Sequence, residues 1–255
     1  MTTRERPTGG SAAPHPVLKQ YYGSDGERRS FVTALFDAAA GQYDQVCRLG
    51  SFGSGQVYRR QVLRRAGLRP GMRLLDIATG TGLVAQSALH TLGEPRAVIG
   101  LDPSAGMLRV ARKRLAIPLA QGRAEELPFA SNRFDMLSIG YALRHVADLA
   151  VTFEEFLRVL KPGGRLLILE ISRPRSVLAQ QLLRVYLQRV LPLVMRRGTG
   201  GVEATQLMRY YWDTIAECVP PETILDVLRQ SGFVGVERRV FGGLVSEYVG
   251  TKPRP

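Results

Sequence analysis

A chain of 255 residues that is 45% apolar can bury one large core, and no long linker divides it, so a soluble globular domain with appendages is expected. The 35 basic and 22 acidic side chains leave a net charge of +13, enough to attract polyanions at long range, yet no apolar run approaches the roughly 20 residues of a membrane span. Cys47 and Cys218 lack partner spacing, which argues against a disulfide framework and a zinc site and fits a reducing compartment.

Residues 1 to about 22 are rich in Pro, Gly, Ser and Thr, have almost no apolar periodicity and lack the apolar core of a signal peptide; they predict a mobile tail on a cytoplasmic protein. Arg28 to Ala40 and Gln56 to Ala66 carry apolar residues at helical spacing, so two helices precede the first strand, Met72 to Ile77. Strand and helix then alternate: helix Leu83 to Leu92, strand Val98 to Leu101, and helix Ser104 to Leu115 with Ser104 as its N-cap. Next come short buried strands at Ile117 to Ala120 and Met136 to Ile139, a helix over Val151 to Leu160 and a Lys161-Pro162-Gly163-Gly164 turn into strand Arg165 to Ile171. This alternation predicts an α/β fold with a mostly parallel sheet covered on both faces. Helix Pro221 to Ser231 and the runs Val234 to Phe241 and Leu244 to Gly250, joined by Gly242-Gly243, add an antiparallel hairpin strand at the end.

The segment Asp76-Ile77-Ala78-Thr79-Gly80-Thr81-Gly82 reads as a nucleoside-cofactor site. Gly80 and Gly82 let the chain turn where a side chain would block a ligand, and the helix after them aims free N–H groups back at it. Asp102, at the tip of the second strand, can accept hydrogen bonds from both hydroxyls of a ribose. Gly80 to Ala85 also satisfies the dinucleotide pattern, so a nicotinamide is the competing cofactor. Asp76 weighs against it: a carboxylate there repels a pyrophosphate but can help hold the ammonium of a methionine moiety. The terminal hairpin weighs the same way, because a parallel sheet finished by an antiparallel strand resembles the Rossmann-like methyltransferases that use S-adenosylmethionine.

With these residues in hand, the chain resembles the ubiquinone/menaquinone biosynthesis C-methyltransferase family from about Phe36 to Pro253. The matching pieces are Tyr43-Asp44, Ser51-Phe52-Gly53, the glycine motif, Asp102 to Leu108, Ala124 to Phe129, Leu143-Arg144-His145-Val146, Arg158 to Gly164, Leu169 to Ser172 and Gly242 to Val245. The resemblance implies a class I fold with a seven-stranded sheet. It also implies one methyltransferase domain over residues 23–255, with N-terminal helices over about 27–67 and a helical substrate cap over about 173–217. Its cofactor contacts fall on Thr81, Asp102, Arg123, Ala124 and Gly140. Two of these depart from the family: Arg123 stands where an Asp or Asn accepts from the adenine amine, and Gly140 replaces a small hydroxyl residue.

The reaction the family implies, carbon methylation of a quinol ring, needs a ring hydroxyl deprotonated. The resemblance places Arg144 and His145 at the end of the fourth strand, where relatives have Arg followed by Asn. Arginine is a poor base, so Arg144 is expected to stabilise the phenolate and His145 to take the proton. Tyr210, Tyr211 and Trp212 are expected either to line the substrate pocket or to belong to the core. His15 and His90 carry no visible constellation. From Ile171 to Val202 the chain has six arginines, no acid and many aliphatics, which suits an anionic membrane surface and equally a core helix with a basic edge. No nucleic-acid partner is expected, because aromatics do not alternate with the arginines. The expected enzyme is thus a cytoplasmic methyltransferase, peripheral on the inner face of the membrane, acting on a small lipid-like aromatic. An O- or N-methyltransferase of a soluble secondary metabolite and a catalytically silent cofactor-binding subunit are the alternatives, and the oligomeric state is open.

Overall fold

The computed structural model describes residues 12–51, 53–196 and 202–255. Residues 1–11 of the expected tail, Phe52 of the Ser-Phe-Gly segment, and Arg197 to Gly201 within the expected cap lie outside them.

The central strand β1 (Leu74–Ile77) is buried at all four positions, which is why it reads as an unbroken apolar run rather than an alternating one. It pairs in parallel with β2 (Val98–Asp102) on one side and β4 (Phe134–Gly140) on the other. With β3 (Leu119–Gln121), β5 (Leu160–Ile171), β6 (Val234–Phe241) and β7 (Val245–Thr251) they form one sheet in the order β3-β2-β1-β4-β5-β7-β6. Only β7 runs against its neighbours, as the hairpin required, and the link Gly242-Gly243 has φ of 59° and 69°. In one respect the pattern misled: Lys161 to Gly164 does not precede the strand but bulges out of it, since Phe134 pairs with Leu160 and Met136 with Arg165.

Helices α1 (Asp25–Ala39), α2 (Tyr43–Gly50) and α3 (Gly55–Arg65) precede the sheet; α2 was not expected, being only two turns long. Helices α4 (Leu83–Leu92), α5 (Ala105–Arg114), α6 (Leu149–Val159) and α10 (Pro221–Gln230) cover the sheet, and Ser104 caps α5 by accepting from the Met107 amide at 3.0 Å. One core cluster, built on Leu75, Ile77, Leu137, Phe153 and Leu228, fills one face; a second, built on Val62, Leu74, Ala85 and Leu167, fills the other.

The expectation of a mobile tail is corrected for residues 12–22. Leu18 and Tyr22 are buried in a third core cluster with Leu207 and Tyr210. The backbone is pinned at both sides: Leu149 donates to the Ala12 carbonyl at 2.9 Å and Val219 to that of Pro14 at 2.8 Å. His15, which the sequence left without a role, is buried with its Nε2 3.0 Å from Nη2 of Arg28, and that nitrogen also donates to the Arg144 carbonyl. Low apolar periodicity misled here because a strap needs only a few anchors, not a face.

Helix α7 (Val177–Val185), a π-helical turn (Tyr186–Val190), α8 (Leu191–Arg196) and α9 (Val202–Ala216) occupy the basic apolar segment and the aromatic stretch beyond it. Leu187 and Leu191 are buried against the third cluster, whereas Val177, Leu178, Leu182 and Leu193 are each about 60% exposed or more. Among the described residues no helix is long and apolar enough to cross a membrane.

Candidate active site

The carboxyl ends of β1, β2 and β4 open into a cavity of about 880 Å³ including its open mouth, where ligands of open parallel sheets bind. Gly80, Asp102, Arg123, Ala124, Gly140 and His145 line it, so six of the ten expected site residues converge there. Gly80 has φ of 58° with nothing within 4 Å of where a Cβ would stand, leaving the backbone open to a ligand. Asp102 accepts from the amides of Gly80 at 2.7 Å and Ser104 at 2.8 Å. Burial nevertheless pushes its carboxyl up to about 6. An acceptor beside a half-buried glycine backbone that borders the cavity fits the ribose of a nucleoside. Arg123 is held by Glu126 at 3.2 Å at the exit of β3, on the far side of β2 from β1. At Gly140 a Cβ would stand 2.9 Å from Cγ2 of Val84, so any contact there is made by main chain.

Four expected site residues lie off the cavity wall, each for a physical reason. Asp76 was expected to help hold a methionine ammonium, but its carboxylate is filled by the Thr79 and Ser138 hydroxyls, both at 2.6 Å, and the Ala85 amide at 3.1 Å. Buried at the strand end, it pins the glycine turn to α4 and β4, and burial raises its carboxyl to about 6. Thr81 gives its hydroxyl to Asp44 at 2.5 Å, and Arg114 pairs with the same carboxylate, so Asp44 of α2 clamps the turn to α5. Gly82, at φ of 88°, is a packing position: a Cβ there would stand 2.6 Å from Cδ1 of Leu115.

Arg144 is the fourth and needs the largest correction. It is fully buried, ion-paired to Glu170, bonded to the Thr214 hydroxyl at 3.1 Å, and 4.3 Å from the Tyr211 ring centroid. In this position it cannot touch a phenolate in the cavity. Its neighbour can. His145 faces the cavity between Phe36, at 5.3 Å, and Tyr210, stacked at 5.4 Å, and neither ring nitrogen has a hydrogen-bond partner. Burial first, then the charge of Arg144, holds the imidazole well below its usual pKa, so it is neutral. Tyr210, Tyr211 and Trp212 do not line the cavity; they are core, with Tyr210 and Tyr211 backing His145 and Arg144.

The sequence reading missed several wall residues. Val32 and Phe36 of α1, Tyr43 of α2 and Val146 make the wall near His145 largely apolar. Tyr43 stood in a motif without a role; its hydroxyl lies 3.0 Å from that of Tyr211. Ala78 and Tyr141, at the tips of β1 and β4, both line the cavity with φ of 51° and 61°, a costly conformation for residues with side chains and one that clusters at functional sites. No sequence signal marks such backbone strain outside glycine.

Comparison with known proteins agrees with this architecture. The ubiE/COQ5 methyltransferase family pattern matches residues 23–252. The chain is 40% identical over 228 residues to "Ubiquinone/menaquinone biosynthesis C-methyltransferase UbiE" of Syntrophotalea carbinolica, covering 87% of this chain and 94% of that one. It is 34% identical over 230 residues to "Demethylmenaquinone methyltransferase" of Lactococcus lactis, covering 87% and 89%. Among solved structures, the fold is shared with a possible histamine N-methyltransferase of Thermotoga maritima (TM-score 0.61, 20% identity, 86% of this chain and 99% of that one). It is shared equally with the [4+2]-cyclase SpnF (TM-score 0.64, 18% identity, 95% and 100%), so the fold alone does not dictate the chemistry. Sequence identity over nearly the whole chain does what the fold cannot: the chain belongs to the ubiE/COQ5 methyltransferase family and is an S-adenosylmethionine-dependent methyltransferase.

Proposed function

We propose that this enzyme methylates a ring carbon of a polyprenylated quinol or a similarly lipid-like phenol. The observation that carries the reading is His145: a neutral imidazole with no protein partner, in the part of the cavity wall where Phe36, Val32 and Val146 suit an apolar ring. The names of the relatives in Syntrophotalea carbinolica and Lactococcus lactis point to quinone-type acceptors.

S-adenosylmethionine supplies a methyl group on a sulfonium, an electrophile that needs no further activation. Gly80, Asp102, Arg123, Ala124 and the Gly140 main chain would hold it, and Asp76, Thr81 and Gly82 shape the turn that presents Gly80. His145 takes the ring hydroxyl proton onto a free nitrogen, leaving a phenolate whose electrons enrich the ring carbon. The positive charges of Arg144 and Arg28 that weaken His145 as a base also stabilise that phenolate, so the proton transfer is helped from its other side. Arg144 acts through this field and by fixing its neighbour, without touching the ring.

Helices α7 to α9 pack against α1 and α2, behind the apolar wall near His145, and none of their described residues lines the cavity itself. Their exposed Val177, Leu178, Leu182 and Leu193, with Arg173, Arg175, Arg184 and Arg189 alongside, suit a peripheral seat on anionic lipid on the cytoplasmic side, from which a tailed quinol reaches the cavity. The test is to incubate the protein with methyl-labelled donor and a panel of demethylated quinols and unrelated phenols. Label on a ring carbon of the quinols is expected; label on oxygen or nitrogen overturns the reading in favour of the alternative methyltransferases, and no transfer to any acceptor despite cofactor binding favours a silent subunit.

A further inference from the structure

The two edges of the sheet differ in what they offer to another strand. β3 has three residues, too few to serve as a template, whereas β6 has eight, contains no proline and exposes six of them. Among the described residues no strand pairs with its outer side, so a row of backbone N–H and C=O groups faces solvent. Val234, Val240 and Phe241 are each about half exposed, although the Phe241 ring leans on Tyr58 of α3 with centroids 4.9 Å apart. The register of β6 with β7 shifts between Val234 and Glu237 and is regular from Glu237 to Phe241, so the regular part of the edge carries Glu237, Arg238 and Arg239.

That charge pattern is complementary to itself. Successive residues alternate between faces, so Glu237, Arg239 and Phe241 share one face of the strand and Val236, Arg238 and Val240 the other. When two copies of one strand pair antiparallel about a two-fold axis, one residue stands opposite itself, because only alternate residues turn their backbone groups outward. With Arg238 at that centre, Glu237 stands opposite Arg239 of the second copy and Arg239 opposite its Glu237, while Val236 and Val240 meet on the other face. Moving the axis by one residue sets either Glu237 or Arg239 against its own copy, so charge selects the register. The central arginines are drawn away from the axis: Nε of Arg238 donates to the Ser246 hydroxyl at 2.9 Å, and its guanidinium lies 5.9 Å from the Tyr248 ring centroid, both on β7. In the single chain Glu237 and Arg239 pair with each other at 3.4 Å, both more than 60% exposed and free to exchange partners. We propose that β6 is the docking edge for a second copy of this chain, the two strands pairing antiparallel about Arg238 and joining two seven-stranded sheets into one.

The test is size-exclusion chromatography with light scattering on the full chain, followed from low concentration up to about 0.1 mM, a range that populates even a small interface. Wild type is expected to approach twice the mass of one chain and to dissociate on dilution. Glu237→Arg and Arg239→Glu each set like charges against each other at two symmetric places and are expected to weaken the dimer by about tenfold or more. An equimolar mixture of these two variants is expected to recover it, since each positive pair then meets a negative one across the axis. S-adenosylhomocysteine affinity is expected to stay unchanged in both, because β6 contributes no residue to the cavity. A wild type that is monomeric throughout overturns the proposal, as does a dimer that neither single reversal weakens, which would use another surface. Failure of the mixture to recover the dimer overturns it as well: loss of the ion pair within one strand would weaken each variant but could not be repaired by the other.

Discussion

At the scale of the residue, the same acid or base chemistry has opposite consequences depending on what fills its hydrogen-bonding capacity. Asp76 and Asp102 both sit at strand ends and both are pushed up to about 6, but Asp76 is satisfied internally while Asp102 faces the cavity. Because a protonated carboxyl loses an acceptor, affinity for S-adenosylhomocysteine should improve as pH rises through about 6, by up to about tenfold per unit below it, when followed by calorimetry from pH 5 to 8; Asp102→Asn should bind weakly without that slope. The stability effect runs the other way: a raised folded pKa favours the folded protein most below the ordinary carboxylate pKa, and the benefit is lost as pH rises through about 6. His145 is shifted down, so its neutral form persists below the usual histidine range, and kcat should stay flat from pH 8 to 6.5. His145→Ala should lower kcat by about 10²- to 10⁴-fold while leaving S-adenosylhomocysteine affinity unchanged, measured by initial rates and calorimetry.

At the scale of the element, most of the family motifs turn out to hold backbone in place. Glu125 accepts from the Ala147 amide at 2.7 Å, steadying the chain just after His145, and Arg158 reaches the carbonyls of Phe129 and Leu127 at 2.7 and 3.0 Å. Glu170 secures Arg144, and Asp44 secures Thr81 and Arg114. A clamp of this kind is invisible in local pattern, since its partners are far apart in the chain. The glycine turn is the most demanding element: Gly82→Ala meets both a positive φ and Leu115, and should cost about 1–3 kcal/mol in urea unfolding with a parallel loss of cofactor binding. The strap over residues 12–22 acts on the Arg144 loop from the other side. His15→Gln, which keeps an acceptor for Arg28, should retain more activity than His15→Phe, which keeps the bulk alone; equal losses in the two would mean that only volume matters.

At the scale of the whole molecule, the net charge of +13 says little until it is set against the face that carries exposed aliphatics. Substituting Leu178 and Leu182 with Asp should abolish retention on vesicles containing anionic lipid at low salt, yet shift Tm by no more than about 2 °C, because both side chains stand in solvent. Retention that survives the double substitution would reduce the segment to a basic-edged helix.

The strand and helix alternation, the terminal hairpin, the glycine turn and Asp102 were legible in the sequence because each depends on local chemistry: apolar periodicity, a turn only glycine makes easily, an acid at a strand tip. Nothing local distinguishes a carboxylate filled by Thr79 and Ser138 from one that faces a ligand, or an arginine sealed beside Glu170 from one that faces a substrate. Those outcomes depend on which distant side chains arrive at the same point, and so did the docking of His15 and the strain at Ala78 and Tyr141. Sequence determined the fold and the strand ends at which the candidate cavity opens; only tertiary packing decided which polar groups were left free to do chemistry, because burial without a partner is a property of the assembled site.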